Sequence, residues 1–124
     1  MKSLPLVFLI SVFHLQAQQV FSPLGSGFDY GVRTLFADTA TNIIYAGGNS
    51  TTAGGIAAQN IAQWNGVKWD SLTSGVNDGG FVLAITKYKG EIYVGGTFGK
   101  IGGINAKGLA KWNGTNWQPF VNAT

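Results

Sequence analysis

Cysteine is absent from all 124 residues, and histidine occurs once, at His14. No disulfide can staple the fold, so packing alone must supply the core. Ser-His-Asp and Cys-His catalysis, and metal sites rich in His or Cys, need side chains that residues 18–124 do not contain. Charge is scarce as well: Asp and Glu together number five, Lys and Arg eight, for a formal net charge of +3. The cations Arg33, Lys68, Lys87, Lys89, Lys100, Lys107 and Lys111 are scattered, which argues against nucleic acid as a partner. Of the acids, Asp29 and Asp78 stand one position apart in the register of an internal repeat and read as solvated loop carboxylates. Glycoside hydrolysis would need a carboxylate pair at a set separation across a cleft. No run of oxygen ligands flanks Asn77-Asp78-Gly79, as a calcium loop requires. The chain reads as a non-enzyme, with no catalytic, cofactor-binding or metal residues to assign.

The first seventeen residues have the pattern of an export signal. Lys2 gives a positive start, Leu4 to Leu15 is an apolar run, and Ala17 supplies the small residue at a cleavage site. The run is shorter than the ~20 residues that span a bilayer, and no second apolar run of that length follows. Residues 1–17 are therefore read as a signal peptide, and the protein as secreted or at the cell surface.

Residues 44–69 and 92–117 are the same segment written twice. IYAGGNSTTAGGIAAQNIAQWNGVKW and IYVGGTFGKIGGINAKGLAKWNGTNW align without a gap at an offset of 48, with 13 of 26 positions identical. A fixed period of this length signals a repeat architecture. Each copy reads as four short strands: 32–37, 43–46, 60–64 and 67–72, then 81–86, 91–94, 108–112 and 115–121. Their β-branched and aromatic content, with turn residues every eight to twelve positions, predicts an all-β chain with essentially no helix.

Trp-Asn-Gly-x-x-Trp is the sharpest local element. Asn65-Gly66 and Asn113-Gly114 suit a two-residue type I′ turn, which would pair Trp64 with Val67 and place Ala62 opposite Trp69. A four-residue loop pairing Trp64 directly with Trp69 is the competing register. Gly47-Gly48 and Gly95-Gly96 close strands, where glycine permits positive φ or a close backbone approach. Gly54-Gly55 and Gly102-Gly103 lie in a loop of about ten residues, the natural place for a binding surface. Gly95 to Ile101 is not a phosphate loop, because Ile101 stands where Ser or Thr is needed.

An apolar strand, Ile-Tyr-Val-Gly-Gly, a Gly-rich loop, a third strand and an aromatic hairpin ending in Trp: this order resembles a kelch-like β-propeller repeat. The residues that carry it are Gly47-Gly48, Trp64 and Trp69, then Gly95-Gly96, Trp112 and Trp117. The Trp-Asn-Gly-x-x-Trp form is also similar to propeller repeats of secreted bacterial surface proteins and of cell-polarity markers. The resemblance implies a partial propeller of two four-stranded blades, repeat 1 at 32–79 and repeat 2 at 80–124. Residues 18–31 would then be a strand of a preceding or closing blade with its loop, since Phe21-Ser22-Pro23-Leu24 aligns with Trp69-Asp70-Ser71-Leu72.

Two blades leave apolar faces open. The chain is expected to be part of a longer propeller, to close a ring with further copies of itself, or to stand alone as two sheets. The expected function is a non-enzymatic binding or scaffolding module whose partner is a protein or a glycan. The alternative is an oligomeric lectin that stacks sugars on the repeated Trp64, Trp69, Trp112 and Trp117, with Phe98 and Lys100 setting specificity. Inter-repeat packing is the competing role for those indoles.

Overall fold

The computed structural model describes residues 23–120. Residues 1–22, which carry the expected signal peptide and Phe21-Ser22, and the last four residues lie outside them. The described chain is all β, with twelve strands and no helix. The first repeat holds β1 (Val32–Asp38), β2 (Ile43–Gly48), β3 (Thr52–Ala53), β4 (Ile56–Ala57), β5 (Ile61–Trp64) and β6 (Trp69–Ser71). The second holds β7 (Val82–Tyr88), β8 (Glu91–Gly96), β9 (Lys100–Ile101), β10 (Ile104–Asn105), β11 (Leu109–Trp112) and β12 (Trp117–Pro119). Two four-stranded antiparallel meanders result, β1-β2-β5-β6 and β7-β8-β11-β12.

The ten-residue loops are not unstructured. Each carries a two-stranded hairpin, β3 with β4 and β9 with β10. Gly54-Gly55 and Gly102-Gly103 form their two-residue turns, all four with φ between 57° and 83°. Both central residues at positive φ is the type I′ requirement, so this turn sits on Gly-Gly. The Asn-Gly hairpins take the other register. Trp64 pairs with Trp69, and Trp112 with Trp117, across four-residue loops. Trp64 therefore does not pair with Val67, Ala62 lies opposite Ser71, and Val67 stands 82% exposed at the tip. The cause is the Asn side chain. Asn65 Oδ1 accepts from the amides of Val67 and Lys68, and Asn113 Oδ1 from those of Thr115 and Asn116. That Asx geometry satisfies two loop amides and leaves only Gly66 and Gly114 at positive φ.

The two sheets stack face to face, with β7 lying against β1 and β2. Between them Tyr45, Ile61 and Leu72 of the first repeat meet Val82, Ile85, Val94, Trp112 and Trp117 of the second. Gly47 sets the spacing. A Cβ there would come within 2.3 Å of Val82 Cγ1, so only a bare backbone lets the sheets approach. Gly48 and Gly96 meet the backbone of their own sheet in the same way, at Gly31 O and Phe81 O. None of the strand-closing double glycines has positive φ, so close approach is the reason at Gly47, Gly48 and Gly96. A second, smaller cluster of Ala46, Ala53, Ala58, Ala62 and Trp69, with Phe28 against it, lies on the other side of the first sheet.

Gly47 and Gly95 occupy equivalent positions, yet a Cβ on Gly95 would find nothing nearer than Gly108 O at 3.7 Å. Gly47→Ala should therefore destabilise the fold by about 1–3 kcal/mol through overpacking, while Gly95→Ala should leave it near neutral. Urea unfolding of the two variants beside the wild type measures the difference.

Candidate functional site

The repeated tryptophans are fastened into the structure. Trp69 Nε1–H donates to Leu24 O at 2.8 Å, and Trp117 Nε1–H to Leu72 O at 3.0 Å. The two bonds are 48 residues apart at both ends. Around them the same backbone contacts recur: Gly27 N to Leu24 O and Gly54 N to Gly27 O, then Gly75 N to Leu72 O and Gly102 N to Gly75 O. Residues 24–29 thus sit on the first sheet as residues 72–78 sit on the second. Among the described residues 23–31, only the isolated bridge of Phe28 with Ala53 has strand pairing. Pro23 and Leu24 are irregular chain, and most of the strand expected within 18–31 lies outside the described residues.

Trp69, Trp112 and Trp117 are each at most 6% exposed. Their rings stack in tilted pairs, Trp64 with Trp69 at 5.4 Å and Trp112 with Trp117 at 5.0 Å. Three of the four indoles are therefore closed to a ligand. Trp64 stays half-buried and borders an open recess of about 300 Å3 with Val67, Lys68 and Asp70. Phe98, expected to tune specificity from a loop, is 2% exposed and belongs to the core. The missing side chain of Gly80 makes its place, since a Cβ there would lie 2.5 Å from Phe98 Cα. Lys100 remains exposed and lines a shallow hollow with Asp78, Asn105 and Lys107.

Asp29 and Asp78 are exposed, as expected of loop carboxylates, and each also holds a loop in place. Asp29 accepts from the amides of Thr51 and Thr52 and from the Thr51 hydroxyl. Asp78 accepts from the amides of Gly99 and Lys100, at 2.8 Å each, and from that of Gly80. Each ties the segment before a repeat's first strand to that repeat's small hairpin. Asp38, buried at the edge of the interface, receives Lys87 Nζ at 2.9 and 3.0 Å, an ion pair between the sheets. These contacts favour the charged forms and hold all three carboxyls below their ordinary range. The leading causes are the Thr51 hydroxyl for Asp29, Lys87 for Asp38 and the Lys100 amide for Asp78. Burial pushes the Tyr45 phenol up. Among the described residues no three His, Cys, Asp or Glu side chains gather into a metal-binding group.

What remains outward is the far face of the second sheet. Tyr88, Tyr93 and Phe120 form an aromatic row across it, with ring centroids 6.1 and 5.6 Å apart in edge-to-face contacts. Lys89 lies over the Tyr88 ring, and Lys111 pairs with Glu91 at 3.3 Å. Tyr88 is more than half open and Phe120 half open, whereas Tyr45 and Leu72, the counterparts of Tyr93 and Phe120, are covered by the second sheet. Composition and period did not single out this row. The repeat of Tyr45 as Tyr93 was the available sign, but which copy is covered depends on stacking order.

Two outcomes follow. Trp117→Ala should cost about 3–5 kcal/mol, as for a buried aromatic, and Trp64→Ala clearly less; thermal melts of both test the assignment. The three depressed carboxyls contribute stability that is complete above about pH 4, the unfolded-state range. It is lost as pH falls toward their lower folded-state values. Asp29→Asn and Asp78→Asn should each flatten the acid limb of a stability–pH curve measured by urea unfolding.

The chain matches no protein-family model, no curated protein and no solved structure.

Proposed function

We propose that this chain is a non-enzymatic binding or scaffolding module of an exported β-propeller protein, its two meanders being adjacent blades. The observation that carries the reading is the open aromatic row Tyr88–Tyr93–Phe120, on a face whose counterpart in the first repeat is covered by a neighbouring sheet. Soluble proteins do not leave a large apolar face open without use. The meander order and the close stacking at Gly47 support the blade reading. The Gly-Gly and Trp positions support the kelch-like resemblance. The export signal supports a location outside the cell or at its surface, with a protein or glycan as partner.

A lectin is the second reading, narrowed by burial to one indole. Trp64 beside the Lys68–Asp70 pair, 3.9 Å apart, offers a ring face next to polar groups, the combination that sugars use. An NMR titration of residues 18–124 with a panel of mono- and oligosaccharides separates the readings. Selective shifts of the Trp64 indole, lost in Trp64→Ala, favour the lectin. Silence at Trp64, with partner contacts mapping to Tyr88, Tyr93 and Phe120, is the expected outcome for the module. Contacts that spare the aromatic row altogether would overturn the module reading.

A further inference from the structure

We infer that the outward face of the second sheet receives the first sheet of another copy of this chain, and that Leu24 holds the Trp69 indole of that first sheet until the copy arrives. The inference rests on the interaction-module reading and names the partner of its surface.

The internal interface is the template. There a hole at Gly47 takes a knob at Val82, with Ile85 beside it. Both features recur without a facing sheet among the described residues. Gly95 repeats the hole on the outward face, with no atom within 3.4 Å of a Cβ placed on it. Val32 and Leu35 repeat the knobs: Val32 pairs with Gly48 as Val82 pairs with Gly96, and Leu35 pairs with Ala46 as Ile85 pairs with Val94. Val32 is 42% and Leu35 65% exposed, where Val82 and Ile85 are buried. The first repeat presents the knobs and the second the hole, which is the requirement for a heterologous, head-to-tail contact.

The exchange at Trp69 follows from the same geometry. Leu72 lies three residues after Trp69 and accepts the indole proton of Trp117. Phe120 lies three residues after Trp117, so its carbonyl occupies the matching position for the next sheet. In a head-to-tail pair that carbonyl reaches Trp69 of the incoming copy, where Leu24 O now sits. Both cannot be there. β12 is laddered to β11 through three residue pairs, whereas Pro23 and Leu24 have no ladder, so Leu24 yields, while Gly27 keeps its bond to Gly54 as Gly75 keeps its bond to Gly102 beneath the first sheet. The Trp69 bond is exchanged rather than lost. The gain is apolar burial at Val32, Leu35 and Gly95.

The test is solution mass by light scattering on residues 18–124, from roughly micromolar to millimolar, with two variants that stand in open positions. Gly95→Trp fills the hole, and Val32→Glu puts a charge on the knob; Leu35→Glu is a second knob variant, and circular dichroism checks that each folds. The expected result is a wild-type mass that rises with concentration, and single variants that stay monomeric. An equimolar mixture of Gly95→Trp with Val32→Glu should give a heterodimer and nothing larger. In that heterodimer the Trp69 indole resonance of the Gly95→Trp copy should shift. A wild type monomeric throughout, variants that associate like it, or a mixture that stays monomeric overturns the inference. If a monomeric chain still binds another partner through Tyr93, the module reading survives and only the self-association fails.

Discussion

The architecture depends on one hydrogen bond made twice. An indole N–H from the last strand of a repeat reaches the carbonyl of a leucine that lies 45 residues earlier, just past the corresponding point of the preceding unit. The bond is buried at Trp117 and removes an indole donor that would otherwise be stranded among apolar side chains. It also fixes where the ring lies, and the ring fixes the gap into which Val94, Ala110 and Ile101 pack. Gly102 has to lack a side chain for this reason, since a Cβ there would come within 2.3 Å of Trp117 Cδ1. Backbone, ring and glycine are thus one constraint expressed at three sequence positions.

Electrostatics does the complementary work at the rim. Five acids in the whole chain leave little to spend on solubility, and three of them are committed to holding loops or sheets together. Asp78 does so through backbone amides alone, which any local sequence provides, and Asp29 through two amides and the Thr51 hydroxyl. That explains how the neighbours can differ, Thr51-Thr52 in one copy and Gly99-Lys100 in the other, while the clamp persists. The Asp38–Lys87 pair is different. Its counterparts by strand register are Tyr88 and Ala37, so this contact belongs to a single junction.

Period and strand order were legible because identity at an offset of 48 is a direct imprint of equivalent environments. All eight main strands fall within a few residues of the expected spans. The hairpin register was not legible from the Asn-Gly dipeptide, because Asn65 can serve a turn through its backbone or through its side chain. The side chain won by satisfying two amides at once. The small hairpins escaped notice since strands of two residues carry no alternation to read. Phe98 misled because its counterpart is Ser50, and a position polar in one copy does not announce a core. The open aromatic row could not be read at all. Tyr45 and Tyr93 are the same residue in the same motif, and only the stacking of one sheet on the next separates a core ring from a surface ring.

The placement of Leu24 and Leu72 has a bearing on how the chain comes apart. The sequence period invites a cut near residues 31 and 79, but the acceptor of each indole lies on the far side of that cut. The units overlap like roof tiles, each holding down the edge of the next. A sheet cannot detach alone: losing it strips the ring pair, the leucine carbonyl and the aspartate clamp that straddle the join. Neighbour coupling of this kind makes unfolding a joint event across both repeats rather than two separate ones. It also gives a mutation at the join a longer reach than one at the Asn-Gly tips, which touch only their own strand ends.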